Sequence, residues 1–241
     1  MRLQAFPVFC YNARELPLSE KDPDLNFFGK FGKIITYKKG EVILRPSENP
    51  TGILYIKKGL VRLYSVSSSG QEITFNIYKP GSYLFMMWAL SEVENNYFFE
   101  TLTEVKGLMA PKDKAVEFLI NQPELLYRLT KRTMIGLEGI VQISQALLFG
   151  NAHSKIATVF LMLAKRFGKK GRNGQIVIGA PLTHRLIATL ACLTRETASL
   201  EIEKLEEEKV ISRRKHFFAV NKLKKLESEI DIAAQEAPAA I

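Results

Sequence analysis

Cysteine is nearly missing from this 241-residue chain: it has two, Cys10 and Cys192, far apart and in no CxxC pair. A disulfide framework, a four-cysteine iron–sulfur cluster and a structural zinc site all lack ligands, and a reducing compartment is the natural setting. Long apolar runs are also missing. No stretch reaches about 18 consecutive apolar residues, so no membrane-spanning helix is expected. The N-terminal MRLQAFPVFCYNARELPLSEKD has neither a sustained apolar run nor a small-residue cleavage site, which speaks against a secretory signal. The expectation is a cytoplasmic protein with no membrane partner. There is no HExxH, GxSxG, P-loop or Rossmann fingerprint, so no catalytic residue, metal site or cofactor is assigned and an enzyme is not expected.

What is present fits a globular chain able to bury a core: 46% of residues are hydrophobic and 24% charged. The net charge of +9 is uneven, because residues 151–241 hold 16 Lys+Arg against 10 Asp+Glu. A basic C-terminal region suits a polyanion partner, although a merely solvated basic surface has the same signature.

From about Ile34 to Met109 the chain reads as β. Short runs such as EVILR, GILYI, LVRLYSV, EITFNIY and YFFETL are rich in Val, Ile, Tyr, Phe and Thr and are split by Gly and Pro. Strands this short predict an antiparallel sandwich or barrel. From Pro123 the apolar period becomes helical, as far as about Leu148. Leu126, Leu129, Ile140, Ile143 and Leu147 fall on one stripe, and Met134, Leu137, Val141 and Leu148 on the next. Two readings stay open: a helix packed only on its own core, or one seam on the core and the other, with Ser144, on a second copy. Phe149-Gly150 stops this helix, and Asn151 caps the next, Ala152 to Phe167. Lys169 to Gly174 reads as a polar, basic loop.

Residues 175–230 carry the most information. A short strand leads to Thr183, which caps a helix over His184–Leu190. Ala191-Cys192-Leu193 makes a tight turn, and Thr194 caps a longer helix from Arg195 to Glu208. Phe217–Val220 and the preceding Val210-Ile211 read as a two-stranded wing with a basic tip. This is a helix-turn-helix, whose second helix enters the major groove by its first turn. Arg195 can take guanine O6 and N7 bidentately, Glu196 can accept from a cytosine amine, and Ser199 lies one turn on. Thr194, Thr197, Arg213, Arg214, Lys215 and His216 are candidate phosphate contacts, and Thr183 is a further candidate DNA-binding residue. Each feature has a plainer reading, a solvated helix start or a solvated turn; their order together points to DNA.

In this order the elements resemble the CRP/FNR superfamily of bacterial regulators. LTRETASLEIEKLEEEKVI (193–211) is similar to the family's recognition helix, PELLYRLTKRTMIGLEGIVQISQALLFGNAHSKIA (123–157) to its dimer helix and hinge, and TYKKGEVILRPSENPTGILYIKKGLVRLY (36–64) to its opening β-roll strands. The resemblance implies an α+β chain: a jelly-roll-like antiparallel β-roll over 1–122, a dimerisation helix and hinge over 123–150 and a winged helix-turn-helix over 151–230. The tail over 231–241, rich in Ala and without an apolar period, is expected to be unstructured. The resemblance also implies a homodimer on a near-palindromic operator, with RNA polymerase as a further partner. Arg195 and Glu196 stand where the family's base-reading pair lies.

Two departures matter. Cys192 replaces the usual turn glycine, and Leu200 stands where the family has arginine. Cyclic-nucleotide members hold the phosphate with a Gly-Glu step and a later Arg-Ser step; here those positions read Phe85-Met86 and Asn95-Asn96, and Ile140-Val141 replace the polar base-contacting pair. A buried phosphate without a cation would cost several kcal/mol, which argues against cyclic AMP or GMP. His153, His184 and His216 all lie outside the β region, so histidine-ligated haem is not expected there. Leu84, Phe85, Met86, Met87, Trp88, Tyr97 and Phe99 would line the corresponding pocket. Either their own side chains fill it or it takes an apolar ligand. The rival overall is an effector-binding or protein-docking module whose C-terminal unit no longer reads DNA.

Overall fold

The computed structural model describes residues 23–171, 174–214 and 217–230. The wing tip, Lys215 and His216, and the tail expected to be unstructured, 231–241, lie outside the described residues. Two compact units emerge, and the division falls inside a long helix, between Arg132 and Thr133.

The N-terminal unit is built from two four-stranded antiparallel sheets. One has the order β1 (Lys33–Tyr37), β8 (Val105–Pro111), β3 (Gly52–Lys58), β6 (Tyr83–Leu84). The other runs β2 (Val42–Leu44), β7 (Phe98–Thr101), β4 (Val61–Val66), β5 (Glu72–Tyr78). β3 shows why an apolar run becomes a strand here. Its first five residues are all buried, because alternate side chains enter two cores. Leu54 and Ile56 pack with Val61, Trp88 and Phe99. Ile53 and Tyr55 pack with Phe27, Phe28, Leu108 and Ala115, which come from β8 and from two helices, α1 (Pro23–Phe31) and α3 (Lys112–Ile120). Each such Val, Leu, Ile or Phe side chain contributes about 1.5–3 kcal/mol through burial. The turn into β4 requires Gly59: at φ +96, a Cβ there would lie 2.2 Å from the Glu104 carbonyl oxygen.

α1 and α3 are not among the helices expected from the sequence, and α2 (Met86–Ser91) interrupts the expected β region. α4 spans Pro123–Phe149, close to the predicted limits. Its first turns belong to the N-terminal unit, where Leu125 and Leu129 pack with Leu119. Leu129 is thus turned into its own core, while Leu126 is 37% exposed.

In the C-terminal unit, α5 (Ala152–Phe167), α6 (His184–Ala191), α7 (Arg195–Glu207) and α8 (Leu223–Ser228) accompany a sheet of order β11 (Ile211–Arg214), β12 (Phe217–Val220), β10 (Ile176–Ile178), β9 (Gly168–Lys170). Asn151 caps α5 by accepting from Ser154 N at 2.9 Å. Phe160 of α5 and Phe218 of β12 (Phe217–Val220) are fully buried, with ring centroids 5.2 Å apart. The basic segment after Gly168 is not all loop. Gly168–Lys170 forms β9, paired antiparallel with β10 (Ile176–Ile178). That pairing gives its backbone hydrogen-bond partners, which no side-chain pattern announces.

Candidate nucleic-acid interface

The interface is assembled from α6, α7 and the hairpin of β11 (Ile211–Arg214) with β12. Thr183 caps α6 by accepting from Leu186 N at 3.1 Å, and Thr194 caps α7 by accepting from Thr197 N at 3.2 Å. The Thr194 and Thr197 hydroxyls are also 3.0 Å apart. Between the helices Cys192 takes a left-handed conformation, φ 53 and ψ 42. Leu193 N–H donates to the Ala188 carbonyl at 3.0 Å, the six-residue closure of a Schellman stop. The backbone here has the form that the usual turn glycine favours, with cysteine in its place.

α7 is held from one side and open on the other. Ala198, Ile202 and Leu205 are fully buried, whereas Arg195, Glu196 and Leu200 are exposed. Ser199 is half-buried, its Oγ 2.9 Å from His184 Nδ1. Arg213 projects from β11, exposed, its guanidinium 6.0 Å from the Phe218 ring centroid. Arg214 follows it on the same strand.

Two arrangements here are not legible from sequence. One is the His184–Ser199 contact, which joins residues on different helices. The other is a clamp on the inner side of α7. His153 Nδ1 lies 2.9 Å from Glu201 Oε2, its Nε2 lies 3.4 Å from Glu229 Oε2, and Lys204 Nζ lies 2.8 Å from Glu201 Oε1. Burial opposes charge on Glu201, but the hydrogen bonds from Lys204 and His153 outweigh it and hold its carboxyl below the usual range.

Comparison with known proteins agrees with this construction. Residues 34–122 match the cyclic nucleotide-binding domain model, and residues 154–229 match the Crp-like helix-turn-helix domain model. The global nitrogen regulator of Nostoc sp. is 26% identical over 201 residues, covering 80% of this chain and 88% of that protein. The transcriptional regulator SdrP of Thermus thermophilus is 29% identical over 176 residues, covering 72% and 82%. The solved structure of TTHA1359, a CRP/FNR-family transcriptional regulator from Thermus thermophilus, matches with a TM-score of 0.66 at 26% identity, covering 82% of this chain and 98% of that one. The chain belongs to the CRP/FNR superfamily of transcription regulators. FixK2 from Bradyrhizobium japonicum shares the fold at a TM-score of 0.71, 18% identity and coverage of 82% and 96%.

The N-terminal unit of this CRP/FNR regulator places the candidate effector residues in several different settings. Leu84, Phe85, Trp88 and Phe99 are in the core. The Phe85 and Phe99 ring centroids are 4.9 Å apart, and those of Trp88 and Phe99 5.3 Å. Phe85 keeps a left-handed backbone, φ 68, at the start of α2. Burial of its ring opposes the roughly 1–2 kcal/mol that such a conformation costs a residue with a Cβ. Met86 borders the α1/α3 core, Met87 is 57% exposed and Tyr97 packs edge-on to Trp88. Asn95 is fully buried and committed to its loops. Its Nδ2 donates to the Arg45 and Tyr97 carbonyls, both at 2.8 Å, and its Oδ1 accepts from Tyr97 N. Asn96 is exposed. Ile140 and Val141, on the part of α4 beyond the division, are 57% and 47% exposed.

Among the described residues, no helix is long and apolar enough to cross a membrane, and no group of three or more His, Cys, Asp or Glu could hold a metal ion.

Proposed function

We propose that this regulator works as a homodimer on a near-palindromic operator, one α7 in each half-site, and that its β-roll does not take a cyclic nucleotide. The observation that carries the DNA geometry is the first turn of α7. It is capped by Thr194 and anchored by Ala198, Ile202 and Leu205, with Arg195 and Glu196 left exposed. In that setting Arg195 reads guanine, Glu196 reads cytosine, and Arg213 with its neighbours on the wing holds phosphate. Thr183, Thr194 and Thr197 present the helix N-termini, whose positive ends favour the same anion.

Dimerisation is supported by the second half of α4. Met134, Leu137, Ile140, Val141 and Leu148 are 47–77% exposed, with Ser144 exposed among them. A contiguous apolar stripe on a soluble chain marks an interaction surface, and heptad-like spacing suits a second copy of the same helix. The first-turn residues Leu126 and Leu129 contribute less, because Leu129 is in its own core. A self-filled β-roll is supported by two features. The steps Phe85-Met86 and Asn95-Asn96 supply no cation, and Phe85, Trp88 and Phe99 pack together.

Selection of bound duplexes from a random pool tests the reading. The expected result is a two-fold-symmetric motif whose affinity falls steeply with salt. Failure to enrich any sequence at low ionic strength would favour a protein-docking role for the C-terminal unit.

A further inference from the structure

His184 opens α6 and is half-buried. Its Nδ1 lies 2.9 Å from Ser199 Oγ on α7, and its ring lies 6.2 Å from that of Phe218 on β12. Its Nε2 is buried and, among the described residues, has no hydrogen-bond partner. The ring therefore has one working nitrogen, and that nitrogen faces a hydroxyl offered as a base reader.

A neutral imidazole carries one N–H and one bare nitrogen. If the proton sat on Nε2, a buried N–H would go unmatched, which folded proteins tolerate less readily than an under-satisfied acceptor. With the proton on Nδ1, the N–H is matched by Ser199 Oγ and the bare nitrogen is the buried one. The hydroxyl oxygen then accepts from His184, and its own hydrogen is left to point elsewhere.

We propose that His184 is a positioning residue for base reading: its Nδ1–H donates to Ser199 Oγ and so presents Ser199 to the groove as a hydrogen-bond donor. The proposal rests on the reading that α7 occupies the major groove. A serine fixed as donor favours purine N7, guanine O6 or thymine O4 and disfavours the amine edge of cytosine. The surroundings of the ring disfavour its protonation. Burial first, then Arg213 from β11 and Arg195 from α7, push its pKa below the ordinary value against the opposite pull of Glu206 and Glu203.

The test has two arms on the full-length protein. In the first, nitrogen NMR of histidine-labelled wild type at neutral pH reports which ring nitrogen carries the proton; the expected result is Nδ1–H, and an Nε2–H tautomer overturns the proposal. In the second, duplex selection compares wild type, Ser199→Ala, His184→Leu and His184→Asn. Ser199→Ala and His184→Leu are expected to lose about three- to tenfold preference, the worth of one hydrogen bond, at the same base pair of each half-site. A Ser199→Ala/His184→Leu double variant, selected alongside them, is expected to lose no more than either single one. His184→Asn, whose amide can still donate, is expected to retain the preference. A His184→Leu protein that keeps full preference where Ser199→Ala loses it, or a Ser199→Ala protein with unchanged preference, overturns it. If His184→Leu does not fold, the tautomer measurement still decides. A wild type that selects no motif breaks the DNA reading without touching the tautomer result.

Discussion

The two halves of this chain differ in what their candidate site residues do. In the N-terminal unit, the positions that would meet an effector carry Leu84, Phe85, Trp88 and Phe99, and these have become core. In the C-terminal unit the core is supplied by other residues, such as Phe160, Ile202 and Phe218, so Arg195, Glu196 and Arg213 remain exposed. A surface reader needs a rigid frame whose stability does not depend on the reading residues. On the proposed reading, a pocket filled by its own side chains offers packing in place of a binding site. Substitution at the candidate effector positions should therefore change stability, and substitution at the candidate reading positions should change DNA binding.

The largest effect is expected in the N-terminal unit. Phe99 is fully buried and meets Tyr78, Phe85 and Trp88. Phe99→Ala should destabilise that unit by about 3–5 kcal/mol through lost burial and the cavity left behind, measured by denaturant unfolding. A cost below about 1 kcal/mol, or full rescue by a small aromatic compound bound by the wild type, would show an effector pocket where we find core. The second effect belongs to the other half. Arg195→Ala should leave the unfolding midpoint almost unchanged, within about 0.5 kcal/mol. Titration of the selected operator should show a loss of about 1–3 kcal/mol in affinity and a relaxed preference at one base pair. If the protein unfolded more easily but bound as before, the two halves would not differ as argued.

The same contrast explains what was legible in the sequence. Three helices of the C-terminal unit, α5, α6 and α7, announce themselves, because Asn151, Thr183 and Thr194 are caps and Ala198, Ile202 and Leu205 keep the helical period; α8, which has no side-chain cap, does not. The β-rich region was legible as a class, from short Val-, Ile- and Tyr-rich runs between Gly and Pro. α2 was not, since Met-Met-Trp-Ala-Leu-Ser is too short for a period and begins after a left-handed Phe85. β9 was not, because Lys169 and Lys170 gain their conformation from pairing with β10. Side-chain commitments were the least legible of all. Nothing in the pattern says that Asn95 is held by three hydrogen bonds within two loops, or that Ser199 faces His184 across 15 residues of chain.

The smallest effect expected is at Cys192, where the frame itself can be adjusted without touching a reading residue. Its left-handed backbone, φ 53, costs a side-chain-bearing residue about 1–2 kcal/mol, whereas glycine avoids it. Two terms oppose the gain from replacement: glycine raises the entropy of the unfolded chain by the equivalent of about 0.4–1 kcal/mol, and the half-buried thiol loses its packing. Cys192→Gly should therefore stabilise the C-terminal unit by under about 1 kcal/mol, with operator affinity unchanged because Arg195, Glu196 and Ser199 keep their places. Thermal unfolding beside duplex titration checks both halves of that expectation. A destabilised variant would mean that the cysteine side chain contributes more to the turn through packing than its backbone loses through strain.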